Sequence, residues 1–274
     1  MLRKIFFAMI IYPLAAALFA FSFWGESRII LRAAEIGSAV AISPAGAPAQ
    51  SYDRSRRILL PGTAHETAVY IVTTPVEGPV VLVIGGIHGD EPAGYLAADT
   101  VASWVVNRGT LIVIPRAHIP AIRRRQRNGE DLLDLNRSFP GSASGSPTER
   151  LAAAIYGVML EFEPDWVIDL HEALFFERLR PGALGQTLIY PPQGRSIDIV
   201  EQLLVEVNST IQAPANHFLL LRGALRGTVL SAAVSVGAES IMVETCKQLP
   251  LDERIQQQRQ AVLSMLYLLG ITVY

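Results

Sequence analysis

The chain has 274 residues, half of them apolar, and a formal charge of −2 at pH 7. This length suits one large domain with a full core, and the near-neutral charge gives no electrostatic preference for nucleic acid. The single cysteine, Cys246, excludes an intrachain disulfide and a cysteine-rich zinc ribbon. A metal site would therefore need histidine and carboxylate ligands.

The N-terminus predicts membrane targeting. Residues 5–24 carry no charge, follow Arg3 and Lys4, and match the roughly 20 residues that span a bilayer. We interpret residues 1–28 as an uncleaved hydrophobic anchor helix rather than a cleaved signal peptide, although residues 20–22 would suit a cleavage site. The basic residues favour an exported domain, either membrane-anchored or, after cleavage, periplasmic or secreted.

Beyond the anchor, the sequence predicts a spacer at residues 29–53, rich in Pro, Ala and Gly, and a single catalytic domain at residues 54–274. The first part of this domain alternates between strand and helix patterns. Continuous apolar strands around a helix form a βαβ unit, which predicts an α/β fold with a mostly parallel, mixed, twisted sheet and helices on both faces. The predicted strands are 67–73, 80–86 and 110–115, with a helix at 92–106.

The second part of the domain continues the alternation. Ser146 is the expected N-cap of a helix, with Pro147 in the first turn and Glu149 completing a capping box. The other predicted elements are a strand at 165–170, a helix at 196–211, a strand at 239–244 and a closing helix at 252–269.

Polar residues follow three of the predicted strands. His88 and Glu91 come after the second strand, His171 after the strand at 165–170, and Glu244 at the end of the strand at 239–244. Because ligands of open α/β sheets bind at the carboxyl ends of the strands, we expect these four side chains to share one edge of the molecule.

These four residues are chemically complementary. The glycines of GGIHG at 85–89 permit a sharp turn, so that His88 and Glu91 reach one point, and His171 from another strand completes a His₂Glu set. Such a set leaves a fourth position open, as in catalytic zinc sites, and predicts one Zn²⁺ per chain. The zinc would polarise a substrate carbonyl and acidify water, while Glu244 transfers the proton to the leaving amine.

A basic segment lies between the ligand-bearing segments. Arg123 and Arg124 fit a solvated loop. Asn136 and Arg137 place an arginine fork next to an amide donor, which suits the binding of a substrate carboxylate through parallel hydrogen bonds.

The motifs HGDE, DLNRSFPG, DLHEA and VET, in this order, resemble the zinc carboxypeptidase superfamily (peptidase family M14), particularly its succinylglutamate desuccinylase and aspartoacylase branch. The resemblance covers roughly residues 65–270 and implies a zinc-carboxypeptidase-like fold. It also implies an oxyanion arginine shortly before the Asn-Arg pair; Arg125 and Arg127 both qualify, and we choose Arg127. The other implied roles are zinc ligands His88, Glu91 and His171, substrate-binding Asn136 and Arg137, and general base Glu244.

Together these features predict an exported zinc hydrolase that cleaves an amide bond of a peptide or small molecule with a free carboxylate. A carboxypeptidase or amidase acting on cell-wall peptides fits the export segment. The alternatives are an N-acyl-amino-acid deacylase and a non-catalytic, membrane-tethered binding protein of the same fold. Only 30 residues follow Glu244, too few for the β-rich domain usual in the aspartoacylase branch. A serine hydrolase is unsupported, because no G-x-S-x-G motif occurs.

Overall fold

The computed structural model describes residues 51–274 except Arg195 and Ala224. The predicted anchor at residues 1–28 and most of the predicted spacer lie outside the described residues. Among the helices that the structure describes, none is long and apolar enough to cross a membrane.

The described strands form one mixed, eight-stranded sheet. They are β1 (Asp53–Leu59), β2 (Thr67–Thr73), β3 (Val80–Gly85), β4 (Thr110–Ile114), β5 (Trp166–Ala173), β6 (Thr187–Tyr190), β7 (Leu219–Arg222) and β8 (Glu239–Cys246). Their order is β1-β2-β4-β3-β5-β8-β6-β7. The central strands β4, β3, β5 and β8 are parallel, whereas β2 and β6 border them antiparallel. The carboxyl ends of the central strands therefore meet at one edge.

Helices cover both faces of this sheet. They are α1 (Pro92–Val101), α2 (Ile119–Arg124), α3 (Pro147–Phe162), α4 (Ile197–Ser209), α5 (Val229–Ser235) and α6 (Leu251–Leu268). One apolar core joins α1, α4 and α6 to the sheet, and a second joins α3 and α5 to its opposite face. Within β3, Val81 and Val83 belong to the first core, and Leu82 and Ile84 to the second. Because both faces of the central strands are buried, their sequences contain continuous apolar runs. The sheet and the helices on its two faces confirm the predicted mixed α/β fold.

The capping box of α3 forms as predicted. The Ser146 hydroxyl accepts a hydrogen bond from the Glu149 N–H at 3.2 Å, and the Glu149 carboxylate accepts one from the Ser146 N–H at 2.8 Å. Two backbone donors at the helix start are thereby satisfied.

The predicted end of α1 was wrong by five residues. The helix stops at Val101, and the chain turns so that Val105 and Val106 pair with the C-terminal residues Val273 and Tyr274. Val105 and Val106, which extended the helical pattern in the sequence, are therefore buried by strand-like pairing with the C-terminal residues.

Candidate active site

The turn after β3 brings His88 and Glu91 together. Gly86 adopts φ +74°, a conformation that favours glycine, and a Cβ at Gly89 would lie 2.0 Å from the backbone carbonyl of Ala121 in α2. Glu91 is the N-cap residue of α1. In this turn Nδ1 of His88 lies 2.8 Å from Oε1 of Glu91, so both side chains reach one point.

Strand β5 adds the second histidine. It continues to Ala173, so His171 lies within the strand rather than in the loop expected after it. Nδ1 of His171 lies 2.8 Å from Oε2 of Glu91. One ligand atom from each of His88, Glu91 and His171 lies within 4.8 Å of the others, and all three residues are buried.

Two aspartates contact the Nε2 atoms of these histidines, the ring nitrogens that do not face Glu91. Nε2 of His88 lies 3.0 Å from Asp134, and Nε2 of His171 lies 2.9 Å from Asp169. A carboxylate on one ring nitrogen fixes the tautomer and leaves the other nitrogen as a metal donor. Both aspartates stand two residues before a predicted site residue, in the motifs DLN and DLH, but sequence reasoning did not single them out. The donor set and its supporting carboxylates fit a zinc ion.

The electrostatics of the cluster favour a positive charge. Burial alone would raise the pKa of Glu91, but the charges and hydrogen bonds of His88 and His171 hold it well below its usual range. Burial would lower the pKa of His171, but Asp169 and Glu91 raise it well above its usual range. The buried carboxylates thus stabilise a cation between them, which a divalent metal would supply in place of a proton.

Glu244 stands beside this cluster. It pairs with His171 across β5 and β8, so the two side chains face the same side of the sheet. Burial raises the pKa of Glu244 to about 8. Its Oε2 atom has no hydrogen-bond partner within the described residues. A carboxyl group with this pKa can accept and donate a proton near neutral pH.

The predicted Asn-Arg pair divides into two environments. Asn136 is buried; its Oδ1 accepts a hydrogen bond from the Val229 N–H at 2.9 Å, and its Nδ2 lies 3.3 Å from Nε2 of His171. Arg137 is exposed, and both residues line the cleft. The geometry therefore leaves the Arg137 guanidinium accessible to a substrate carboxylate, while the Asn136 side chain is also bonded to the start of α5.

The two arginines considered for the oxyanion role, Arg125 and Arg127, differ in position. Arg127 lines the cleft, donates to Asp134 at 2.9 Å, and has Nη1 3.7 Å from Oε1 of Glu91. Arg125 is the left-handed C-cap of α2 and is not among the described residues that line the cleft. Of the two arginines, Arg127 is therefore the one placed to contact a substrate in the cleft, and its role stays a prediction.

The cleft has a volume of about 580 Å³, within the size range of small-molecule sites. Its polar lining includes the residues described above. Its opposite side is apolar and comes from β6, β7, β8 and the segment that leads into α5. The apolar lining includes Leu184, Ile189, Leu221, Leu225, Leu230 and Met242.

Residues 77–269 match the sequence profile of the family described as the succinylglutamate desuccinylase/aspartoacylase catalytic domain. The chain belongs to this family. Membership confirms the resemblance carried by the four motifs and, with it, the predicted class of enzyme, a hydrolase.

Individual relatives agree with this assignment. An N-alpha-acetyl-L-2,4-diaminobutyric acid deacetylase from Halomonas elongata is 37% identical over 122 residues, which cover 41% of this chain and 35% of the relative.

Solved structures of similar proteins share the fold. The mDAP-bound form of Helicobacter pylori Csd4, a D,L-carboxypeptidase, has a TM-score of 0.66 at 21% identity, covering 72% of this chain and 52% of Csd4. A Rhodobacter sphaeroides succinylglutamate desuccinylase/aspartoacylase has a TM-score of 0.59 at 22% identity, covering 81% of this chain and 66% of that protein. This member of the family thus spans about a third of its curated relative and about half of Csd4.

Proposed function

We propose that the chain is a zinc-dependent hydrolase that cleaves an amide bond in a substrate with a free carboxylate. One observation carries the proposal: His88, Glu91 and His171 offer ligand atoms within 4.8 Å of one another, with Glu244 beside them in the same cleft. Two histidines and one carboxylate form the donor set of a catalytic zinc with an open position.

The side chains of the cleft have separate roles. His88, Glu91 and His171 would hold the zinc ion, which would supply Lewis acidity and lower the pKa of a water molecule. The carboxyl group of Glu244 would accept a proton from water and deliver it to the leaving nitrogen. The guanidinium of Arg127 stabilises the charge that develops on the carbonyl oxygen, and Arg137 binds the substrate carboxylate.

The substrate that fits best is an N-acyl amino acid. The curated relative is named as a deacetylase of an N-acetylated amino acid, and its 37% identity supports this reaction over peptide cleavage. The second candidate is a carboxypeptidase acting outside the cytoplasm, supported by the predicted export segment and by the likeness to Csd4, which is described as a D,L-carboxypeptidase. A non-catalytic binding protein is disfavoured, because the ligand set, Glu244 and both arginines are all present.

The cellular location forms part of the same proposal. The uncharged run at residues 5–24 and the basic pair before it support a membrane anchor that leaves the domain at residues 54–274 outside the cytoplasm. In spheroplasts, from which the outer envelope has been removed, added protease should then degrade the domain or find it already released. If the domain is degraded only after the spheroplasts are lysed, the location is wrong.

The metal and the base can be tested separately. The purified full chain should bind one zinc and hydrolyse members of a panel of N-acetyl amino acids and dipeptides. His171→Ala should lose the metal. Glu244→Gln should keep the metal and lose about 10²–10⁴-fold in kcat. If the wild type binds no stoichiometric zinc, the metal assignment fails; if Glu244→Gln retains wild-type kcat, the base assignment fails.

A further inference from the structure

The floor of the cleft is a row of apolar side chains. Met242 of β8 pairs with Ile189 of β6, and Ile189 pairs with Leu221 of β7. Paired residues on neighbouring strands face the same side of a sheet, so these three side chains lie next to one another. Met242 is two residues from Glu244 on the same strand, so the row begins directly beside the proposed base.

The segment that leads into α5 lies next to the proposed carboxylate-binding residue. A Cβ at Gly227 would lie 2.5 Å from the backbone oxygen of Arg137, so the two backbones are in close contact. Leu225 and Leu230 flank this contact in sequence, and both line the cleft. Apolar residues therefore line the cleft both beside Glu244 and in the segment that contacts Arg137, the two groups proposed to act on the substrate.

The charged groups at the rim of the cleft already have partners. Nζ of Lys247 lies 3.0 Å from Oδ2 of Asp90. Nη2 of Arg222 donates to the backbone oxygen of Pro192 at 2.6 Å. A charged side chain lying on the floor itself would lose hydration against Met242, Ile189 and Leu221, which offer no polar partner.

We propose that the part of the substrate that carries the carboxylate also carries an uncharged, apolar side chain, which packs on Met242, Ile189 and Leu221. This inference rests on the proposed function, since it takes Arg137 as the carboxylate-binding group. It distinguishes the chain from its curated relative, whose named substrate carries an amino group on its side chain.

Binding of free amino acids tests the inference without requiring turnover. Calorimetry on the full chain should give at least about tenfold tighter binding of leucine and phenylalanine than of glutamate and 2,4-diaminobutyrate. Across glycine, alanine, norvaline and leucine, the affinity should increase with the apolar area. The N-acetyl derivatives should follow the same order in kcat/KM. Equal affinity for leucine and glutamate would overturn the inference.

A matched pair of variants locates the selectivity. Ile189→Asp should abolish the preference for leucine and favour 2,4-diaminobutyrate, because it places a carboxylate on the floor. Leu160→Asp introduces the same change at an exposed position of α3 outside the cleft and should leave the preference unchanged. If Ile189→Asp keeps the wild-type preference, the inference fails. If leucine binds preferentially but no amide is cleaved, the proposed hydrolysis fails and the apolar site stands.

Discussion

Glu172 accepts a hydrogen bond from the backbone N–H of Ala93 at 2.8 Å, which joins β5 to the first turn of α1. Glu172 follows His171 in the chain, and Ala93 lies two residues after Glu91. The second carboxylate oxygen of Glu172 forms a buried ion pair with Arg254 of α6. One side chain therefore fixes the separation of two ligand-bearing segments.

Replacement of Glu172 should weaken both the fold and the metal site. Glu172→Ala leaves the Arg254 guanidinium buried and unpaired, which should cost about 3–5 kcal/mol of unfolding free energy. It also frees the start of α1, so zinc affinity should fall by about 10–100-fold. Glu172→Gln keeps an acceptor for the Ala93 N–H and should retain more of the zinc affinity. Urea unfolding and competition with a chelator measure the two effects.

An exposed ion pair provides the control for this prediction. Glu161 and Arg57 are 2.8 Å apart, and their side chains are 54% and 40% exposed. Glu161→Ala should cost no more than about 1 kcal/mol and leave zinc affinity unchanged. Equal losses of zinc affinity in Glu161→Ala and Glu172→Ala would show that the position of Glu172 has no special effect on the metal.

The glycine turn before α1 should not tolerate a side chain. In Gly89→Ala the new Cβ would overlap the Ala121 carbonyl, so the turn must move, and we expect a loss of about 1–3 kcal/mol together with weaker zinc binding. Gly157→Ala lies within α3, where no atom would be within 4 Å of the Cβ, and should raise stability by about 0.5–1 kcal/mol. Thermal unfolding distinguishes the pair, which should shift in opposite directions.

Arg137 should act through its fork geometry as well as its charge. Arg137→Lys keeps the charge but cannot form two parallel hydrogen bonds with a carboxylate, so KM should rise about tenfold while kcat changes little. Arg123→Lys, at an exposed position outside the cleft, should leave both constants unchanged. Steady-state kinetics on one N-acetyl amino acid are sufficient. A fall in kcat with constant KM would instead place Arg137 in the chemical step.

His118 should make the fold sensitive to acid. Burial, followed by the charge of His65, lowers the pKa of His118 from 6.5 to about 4. Between these two values the unfolded chain binds a proton that the folded chain does not, so the unfolding free energy should fall as the pH decreases. This stabilisation is fully present above pH 6.5 and is lost as the pH falls to about 4, a total of about 3 kcal/mol. Denaturant titrations at several pH values should show that the unfolding free energy of His118→Gln depends less steeply on pH than that of the wild type.

The central strands and long helices were predictable because local sequence carries their signal. β3 is apolar throughout and β5 and β8 contain apolar runs, because both faces of these strands are buried, and α3 has a complete capping box. β1 escaped prediction because it is a largely exposed edge strand with the charged sequence DRSRRIL. β6 and β7 have four residues each, too few to show a period.

Site residues that follow the end of a strand could be predicted from the sequence. Contacts that depend on the register between strands could not. His88, Glu91 and His171 came from their positions after apolar runs. Asp169 lies in a buried strand and acts on a ring two residues away, so its contact with the histidine could not be derived from the pattern. Likewise, the apolar floor requires the pairing of Ile189 with Met242, which is set by the antiparallel register of β6 on β8 and by no local signal.

The arrangement of ligands also has a consequence for the folding of the chain. Glu91 and His171 are 80 positions apart, and they belong to separate crossover units of the sheet. A bound metal would act as a removable crosslink that closes this long loop, and it would do so only in the folded chain. Folding and metal loading are then one coupled equilibrium, and the concentration of free zinc around the protein becomes a determinant of how much of it is folded.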